Sequence, residues 1–174
     1  MKEILKNIQP LTAENNINVI IEIQKGSKNK YELDKESGLI MLDRVMHTGQ
    51  DYPFDYGFIP NTLCEDGDPL DVVLYTTYPL MPGILLEARP IGVIKMIDGG
   101  EADDKILAVA VNDPRLKEMV NLATFPAHFV KEVKHFMETY KLIQGKEVKI
   151  DAILDVADAH ASVKASIEMF AKSN

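Results

Sequence analysis

Asp66-Gly67-Asp68-Pro69-Leu70-Asp71-Val72 sets three carboxylates within six residues, around a glycine and a proline. Two unit charges about 4 Å apart repel by about 1 kcal/mol in water and by about 4 kcal/mol at an effective dielectric of about 20. A fold that gathers three of them needs a positive partner, and a hard divalent cation with oxygen ligands is the natural one. Asp66 and Asp68 stand two apart, so an extended segment puts them on one face. Pro69 fixes its own φ and restricts Asp68. Asp71 then opens the apolar run Val72-Val73-Leu74-Tyr75, which reads as a buried strand. A rigid strand under an acidic turn is a sound platform for metal chemistry. A plain hairpin turn explains the same residues, because Asp-Gly between hydrophobic runs is a turn signal without any metal. An EF-hand loop does not: its fifth place would be Leu70, its sixth Asp71 in place of glycine, and its twelfth Thr77 in place of glutamate.

Outward from this stretch, residues 17 to 24 alternate, with Ile17, Val19, Ile21 and Ile23 on one face and Glu22 on the other. Further short strands are expected at 30–34, 39–46, 56–59, 71–76, 84–97, 105–111 and 146–151, separated by Gly, Pro and Asp clusters. A helix is expected over 127–141, where Phe129, Val130, Val133, Phe136, Met137 and Tyr140 make a stripe of helical period. A second is expected over 158–171, burying Ala159, Val163, Ile167 and Phe170. A single turn can start at Asn112-Asp113-Pro114, with Asp113 as cap. Many short strands before late helices give a β-rich α+β fold class and suggest a closed barrel with helices outside. Residues 1–174 read as one domain.

The chain carries 19 basic and 27 acidic residues, a formal charge of -8. That disfavours nucleic acid and anionic membrane as partners, since both need a basic footprint. The single cysteine, Cys64, cannot close an intrachain disulfide, which suits a reducing compartment. Met1 to Gln9 lacks the apolar stretch of a secretory leader, and no window has the apolar length of a membrane span. The expected location is the cytoplasm.

The acidic stretch resembles the signature Asp-x-Asp-Pro-x-Asp-Val of the soluble family I inorganic pyrophosphatases. Its surroundings are similar to the family as well, in the same order. They are Glu22 within Val19-Ile20-Ile21-Glu22-Ile23, Lys30-Tyr31-Glu32, Asp43-Arg44, Tyr52-Pro53-Phe54-Asp55-Tyr56-Gly57-Phe58-Ile59-Pro60-Asn61-Thr62, Gly92-Val93-Ile94-Lys95-Met96-Ile97-Asp98, Asp103-Asp104-Lys105 and Tyr140-Lys141. The chain departs from the family pattern at Gln24, where proline is usual, and at Asp55, where asparagine is usual. It lacks tryptophan, and Asp104 adds a third acid before Lys105. Residues 142 to 174 are the least family-like.

The resemblance implies an OB-like five-stranded β-barrel with flanking α-helices, and metal-dependent hydrolysis of pyrophosphate. It implies several Mg2+ ions per site, with Mn2+ or Zn2+ as substitutes, and a homohexamer. Asp66, Asp71 and Asp103 would hold the water-activating metals, with Asp71 bridging. Asp98 and Asp103 would hold metal arriving with substrate. Glu22 and Glu32 would be outer metal carboxylates, and Asp68 would take the proton of the attacking water. Lys30, Arg44 and Lys141 would bind phosphate oxygens, with Tyr56 and Tyr140 donating hydroxyls. Lys105 would pair with the acidic cluster, and Tyr52 would hydrogen-bond a metal ligand. His128 and His135 share an edge of the first helix and would serve packing or a subunit contact. Each residue has a plainer use: Arg44 as a structural ion pair with Glu22 or Glu32, Lys30 with Glu32 as a surface pair worth little, and Asp98 before Gly99-Gly100 as the start of a turn. Two other functions stand beside the main one. Hydrolysis of another phosphoanhydride lacks a P-loop or a Gly-x-Gly-x-x-Gly run to support it. A non-catalytic metal- or phosphate-binding OB-like module would bind metal without turnover.

Overall fold

Gly57 decides how closely two strands meet: a Cβ there would stand 2.0 Å from the carbonyl oxygen of Ile20. Only glycine lets β4 (Asp55–Phe58) cross so tightly over β1 (Ile17–Ile23), where Ile21 pairs with Gly57. The computed structural model describes residue 5 and residues 7–173. The leader reading of Met1 to Gln9 falls partly on residues outside those described.

From β4 the pairing runs antiparallel to β5 (Asp71–Tyr75) and parallel from β5 to β8 (Lys105–Ala110). It continues antiparallel from β8 to β6 (Leu85–Asp98), and from β6 back to β1. Five strands therefore close into a ring, the expected barrel. The 14-residue β6 runs past it, pairing with β9 (Val148–Asp155) and with β7 (Glu101–Ala102). β2 (Asn29–Leu33) and β3 (Ile40–Val45) form a separate two-stranded sheet.

Alternate side chains of the ring strands feed two apolar clusters. Val72, Leu74, Ile106 and Ala108 join Ile17, Val19 and Ile21 in one, which packs on Ala159 and Val163 of α2 (Val156–Ser173). Val73, Leu107 and Val109 join the other, which packs on Phe129, Val133, Phe136 and Met137 of α1 (Ala127–Thr139). The expectation that Ile23 shares a face with Ile17, Val19 and Ile21 is corrected. A bulge between Ile21 and Ile23 shifts the register, and Ile23 enters the α1-side cluster.

α1 stops at Thr139, and the chain turns through Leu142–Gln144 to Gly145. Tyr140 caps the helix with its amide on the Phe136 carbonyl at 2.9 Å, and the helix ends two residues before the expected end. The 112–114 stretch makes a turn in which Asp113 accepts from the Arg115 amide at 3.0 Å. The buried carboxylate of Asp55 accepts from the amides of Lys25 (2.8 Å) and Leu80 (3.0 Å) and from the Thr76 hydroxyl. It ties two loops to the start of β4.

Candidate active site

The acidic stretch folds as a tight turn between Ile59 and β5. Buried Thr62 holds its two ends, donating to the Ile59 carbonyl (2.6 Å) and accepting from the Leu70 amide (2.9 Å). Inside the turn, Asp66 accepts from the Asp68 amide at 2.9 Å. The turn reading and the site reading are compatible, because the same carboxylates line a cleft of about 280 Å³.

Other segments complete the walls. β1 brings Glu22, and β2 brings Lys30 and Glu32. β6 ends on Asp98, before a two-residue turn in which Gly99 (φ 59°) and Gly100 (φ 95°) both take the left-handed conformation of a type I′ hairpin. The returning chain presents Asp103 and Lys105, and the end of α1 delivers Tyr140 and Lys141. Of the twelve residues expected to hold metal, bind phosphate or take the proton, eleven line this one cleft: Glu22, Lys30, Glu32, Tyr56, Asp66, Asp68, Asp71, Asp98, Asp103, Tyr140 and Lys141.

Arg44 is the exception. It lies across from Lys30 on β3 and pairs with its neighbour Asp43, not with Glu22 or Glu32. Among the described residues its Nε is buried without a hydrogen-bond partner. Tyr52 packs among Phe54, Tyr56 and Phe136. The bond to an acid foreseen for Tyr52 is made by Tyr56, which donates to Asp71 Oδ2 at 2.6 Å. His128 and His135 lie on the exposed side of α1.

The acids are held by lysines. Lys105, 3% exposed, reaches Asp71 Oδ2 at 2.6 Å and also bonds Asp103. Burial alone would lower its pKa, but the two carboxylates outweigh that and hold it above the usual lysine value. Lys141 pairs with Asp98 and Lys30 with Glu32. For Lys30, too, burial would lower the pKa, and Glu32 holds it above the usual value. Among the described residues no three carboxylates form a preassembled metal cluster; Glu32, Asp68, Asp71, Asp98 and Asp103 are each turned toward a lysine. Glu22 and Asp66 accept from backbone amides instead, Glu22 from Leu33 at 2.7 Å and Asp66 from Asp68. Burial, reinforced by the charge of Asp71, pushes the Glu22 carboxyl up to about 8. Burial likewise pushes the Tyr140 hydroxyl up to about 12, with Asp98 adding to it.

Lys35 lines the cleft and was not foreseen. From the β2–β3 turn it reaches Asp68 Oδ1 at 2.5 Å. No local pattern singles it out, since its partner is 33 residues away. Thr62 ends the family-like block that begins at Tyr52, and the sequence assigns it no role of its own.

The lining comprises seven carboxyl groups and four lysines. That leaves an excess of negative charge, and every candidate ligand atom is a carboxylate oxygen, the donor chemistry of hard divalent cations. The residues present therefore fit such an ion.

Residues 19–171 match the family model described as inorganic pyrophosphatase. The chain is 47% identical over 155 residues to soluble inorganic pyrophosphatase 5 of Arabidopsis thaliana, covering 89% of this chain and 72% of that one. It is 46% identical to soluble inorganic pyrophosphatase 2 of Chlamydomonas reinhardtii, covering 91% and 82%. Among solved structures, the inorganic pyrophosphatase of Thermus thermophilus superposes with a TM-score of 0.90 at 41% identity, covering 95% of this chain and 98% of that one. Among the described residues no helix is long and apolar enough to cross a membrane.

Proposed function

We propose that this chain, which belongs to the inorganic pyrophosphatase family, hydrolyses inorganic pyrophosphate to two phosphates, with a metal-activated water and Asp68 as proton acceptor. The observation that carries the reading is the single cleft lined by seven carboxyl groups and four lysines. Pyrophosphate is a polyanion, and an acidic cleft can hold it only with cations between. Mg2+ is the ion we assign, several to a site, with Mn2+ or Zn2+ as substitutes. When bound, such ions lower the pKa of a ligated water and offset charge on the attacking and leaving oxygens.

Asp66, Asp71 and Asp103 are the residues that would hold the water-activating ions, with Asp71 shared. Asp98 and Asp103 would hold ions entering with substrate, and Glu22 and Glu32 are the outer carboxylates. Asp68 orients the attacking water and accepts its proton, a role for a carboxylate beside the ligands but free to take a hydrogen bond. Lys30 and Lys141 hold phosphate oxygens as point charges, and Arg44 behind Lys30 offers a planar donor fork with an unpaired Nε. Tyr140 donates its hydroxyl to phosphate. Tyr56 and Lys105 fix the Asp71 carboxylate from two directions. We place the protein in the cytoplasm as a homohexamer. Supporting association, α1 exposes His128 and His135 and is followed by exposed Leu142 and Ile143.

The test is phosphate release from pyrophosphate by the purified protein, with Mg2+ and with EDTA. Fast release abolished by EDTA is expected. A folded, Mg2+-loaded protein that releases no phosphate would overturn the activity and leave a binding site.

A further inference from the structure

The loop that brings Asp98, Asp103 and Lys105 to the cleft has a second side. Along the chain into β8, Asp103 and Lys105 share the parity of Leu107, in the α1-side cluster, while Asp104 shares that of Ile106, which packs toward α2. Asp104 therefore points away from the cleft. Its carboxylate meets Lys95 Nζ at 2.5 Å, and the same Nζ donates to Ser162 Oγ of α2 at 3.0 Å. Lys95 pairs with Ala152 and Met96 with Ile150, so Lys95 stands opposite a bulge at Asp151 of β9. Three segments, β6, the loop and the C-terminal helix, thus meet on one ammonium.

We infer that Lys95, acting through Asp104 and Ser162, is a positioning residue that holds the 98–105 loop in register, so that Asp103 and Lys105 face the cleft. The inference rests on the proposed function for its consequence and on the Lys95–Asp104–Ser162 contacts for its geometry. The loop is also held by the pairing of β7 with β6 and by the Asp103 amide on the Met96 carbonyl at 2.9 Å. Without Lys95 the loop keeps those bonds but loses its tie to α2, and the Asp103 carboxylate samples more orientations. The pair is partly exposed (36% and 24%), so global stability depends on it little; ligand placement depends on it more.

The experiment compares wild type with K95M, D104A, the double variant and S162A. It reads amide exchange across 98–105, the Mg2+ concentration for half-maximal thermal stabilisation, and turnover against Mg2+. K95M and D104A should each raise the Mg2+ midpoint about 3–10-fold, below the range typical for groups bonded directly to a ligand. The double variant should be no worse than the worse single, because both remove one interaction. Melting in EDTA should move by less than about 3 °C. S162A keeps both charges and should still speed exchange at 101–105, which keeps the inference testable if a charge variant fails to fold. Unchanged Mg2+ midpoint and exchange in K95M and D104A, or fully additive effects in the double variant, would overturn it. Absence of turnover in wild type as well would sink the activity instead, and the midpoint and exchange data would still decide the clamp.

Discussion

Replacing Lys105 with methionine keeps an unbranched side chain one atom shorter and removes its charge. Lys105 is the most buried cation of the cleft, 3% exposed, between Asp71 at 2.6 Å and Asp103. Removing one partner of a buried ion pair costs about 3–5 kcal/mol, because the other charge is left uncompensated. Here two charges are left, which pulls toward the upper end. Two features pull the other way: the Asp71 and Asp103 side chains are 25% and 21% exposed, and Tyr56 keeps its bond to Asp71. Water and the tyrosine together place the cost near the lower end, about 3 kcal/mol. In a chain of 174 residues each kcal/mol moves the melting temperature by about 2–4 °C. K105M should therefore melt about 6–12 °C below wild type in EDTA. Mg2+ should then stabilise the variant more than the wild type, since the bare carboxylates gain a cation by mass action. Melts by circular dichroism in EDTA and in a Mg2+ series give both numbers. A gap under about 2 °C in EDTA, or a Mg2+ shift no larger than that of wild type, would refute the reasoning.

Asp55 gives a stability test away from the chemistry. Asp55→Asn keeps Oδ1 for both amides and lets the Thr76 hydroxyl turn round to accept, so it should cost under about 1.5 kcal/mol. Asp55→Ala strands three donors at about 1–3 kcal/mol each and should lower the melting temperature by about 10 °C or more; equal melts for the two variants would be the wrong result. Glu22 predicts a pH dependence. Folding raises its pKa from 4.5 to about 8, so ionisation opposes folding, and stability from this group is full below 4.5 and is lost as pH rises to about 8. In EDTA, Glu22→Gln should match wild type near pH 4.5 and exceed it by about 3 kcal/mol at pH 7, at about 1.4 kcal/mol per pH unit; a flat difference across that window would count against a buried neutral Glu22. Asp68→Asn should lower kcat by about 100-fold or more while moving the Mg2+ midpoint by less than about threefold. Turnover near wild type would remove Asp68 from its role.

The parts legible in the sequence are those where one local rule acts alone. Val72-Val73-Leu74 and Ile106-Leu107-Ala108 read as strands because both faces of a parallel pair are buried, and they do pair, in parallel. The acids were legible because like charges set close together need an explanation wherever they occur. What stayed hidden depends on contacts between distant segments. β7, at two residues, has no period to read; it exists because Gly99 and Gly100 turn the chain back on β6. Ile23 fits its strand's alternation, and only the crossing with β4 creates the bulge that moves it to the other core. Glu32 and Lys30 are neighbours on one strand face and pair as such, but Lys35 meets Asp68 only because the hairpin folds over the acidic turn. Asp104 is the sharpest case. In sequence it looks like one more acid beside Asp103. The pleat decides otherwise, sending Asp103 to the cleft and Asp104 to Lys95 and the helix behind it. Adjacent carboxylates here have opposite duties, and alternation along the strand, not composition, assigns them.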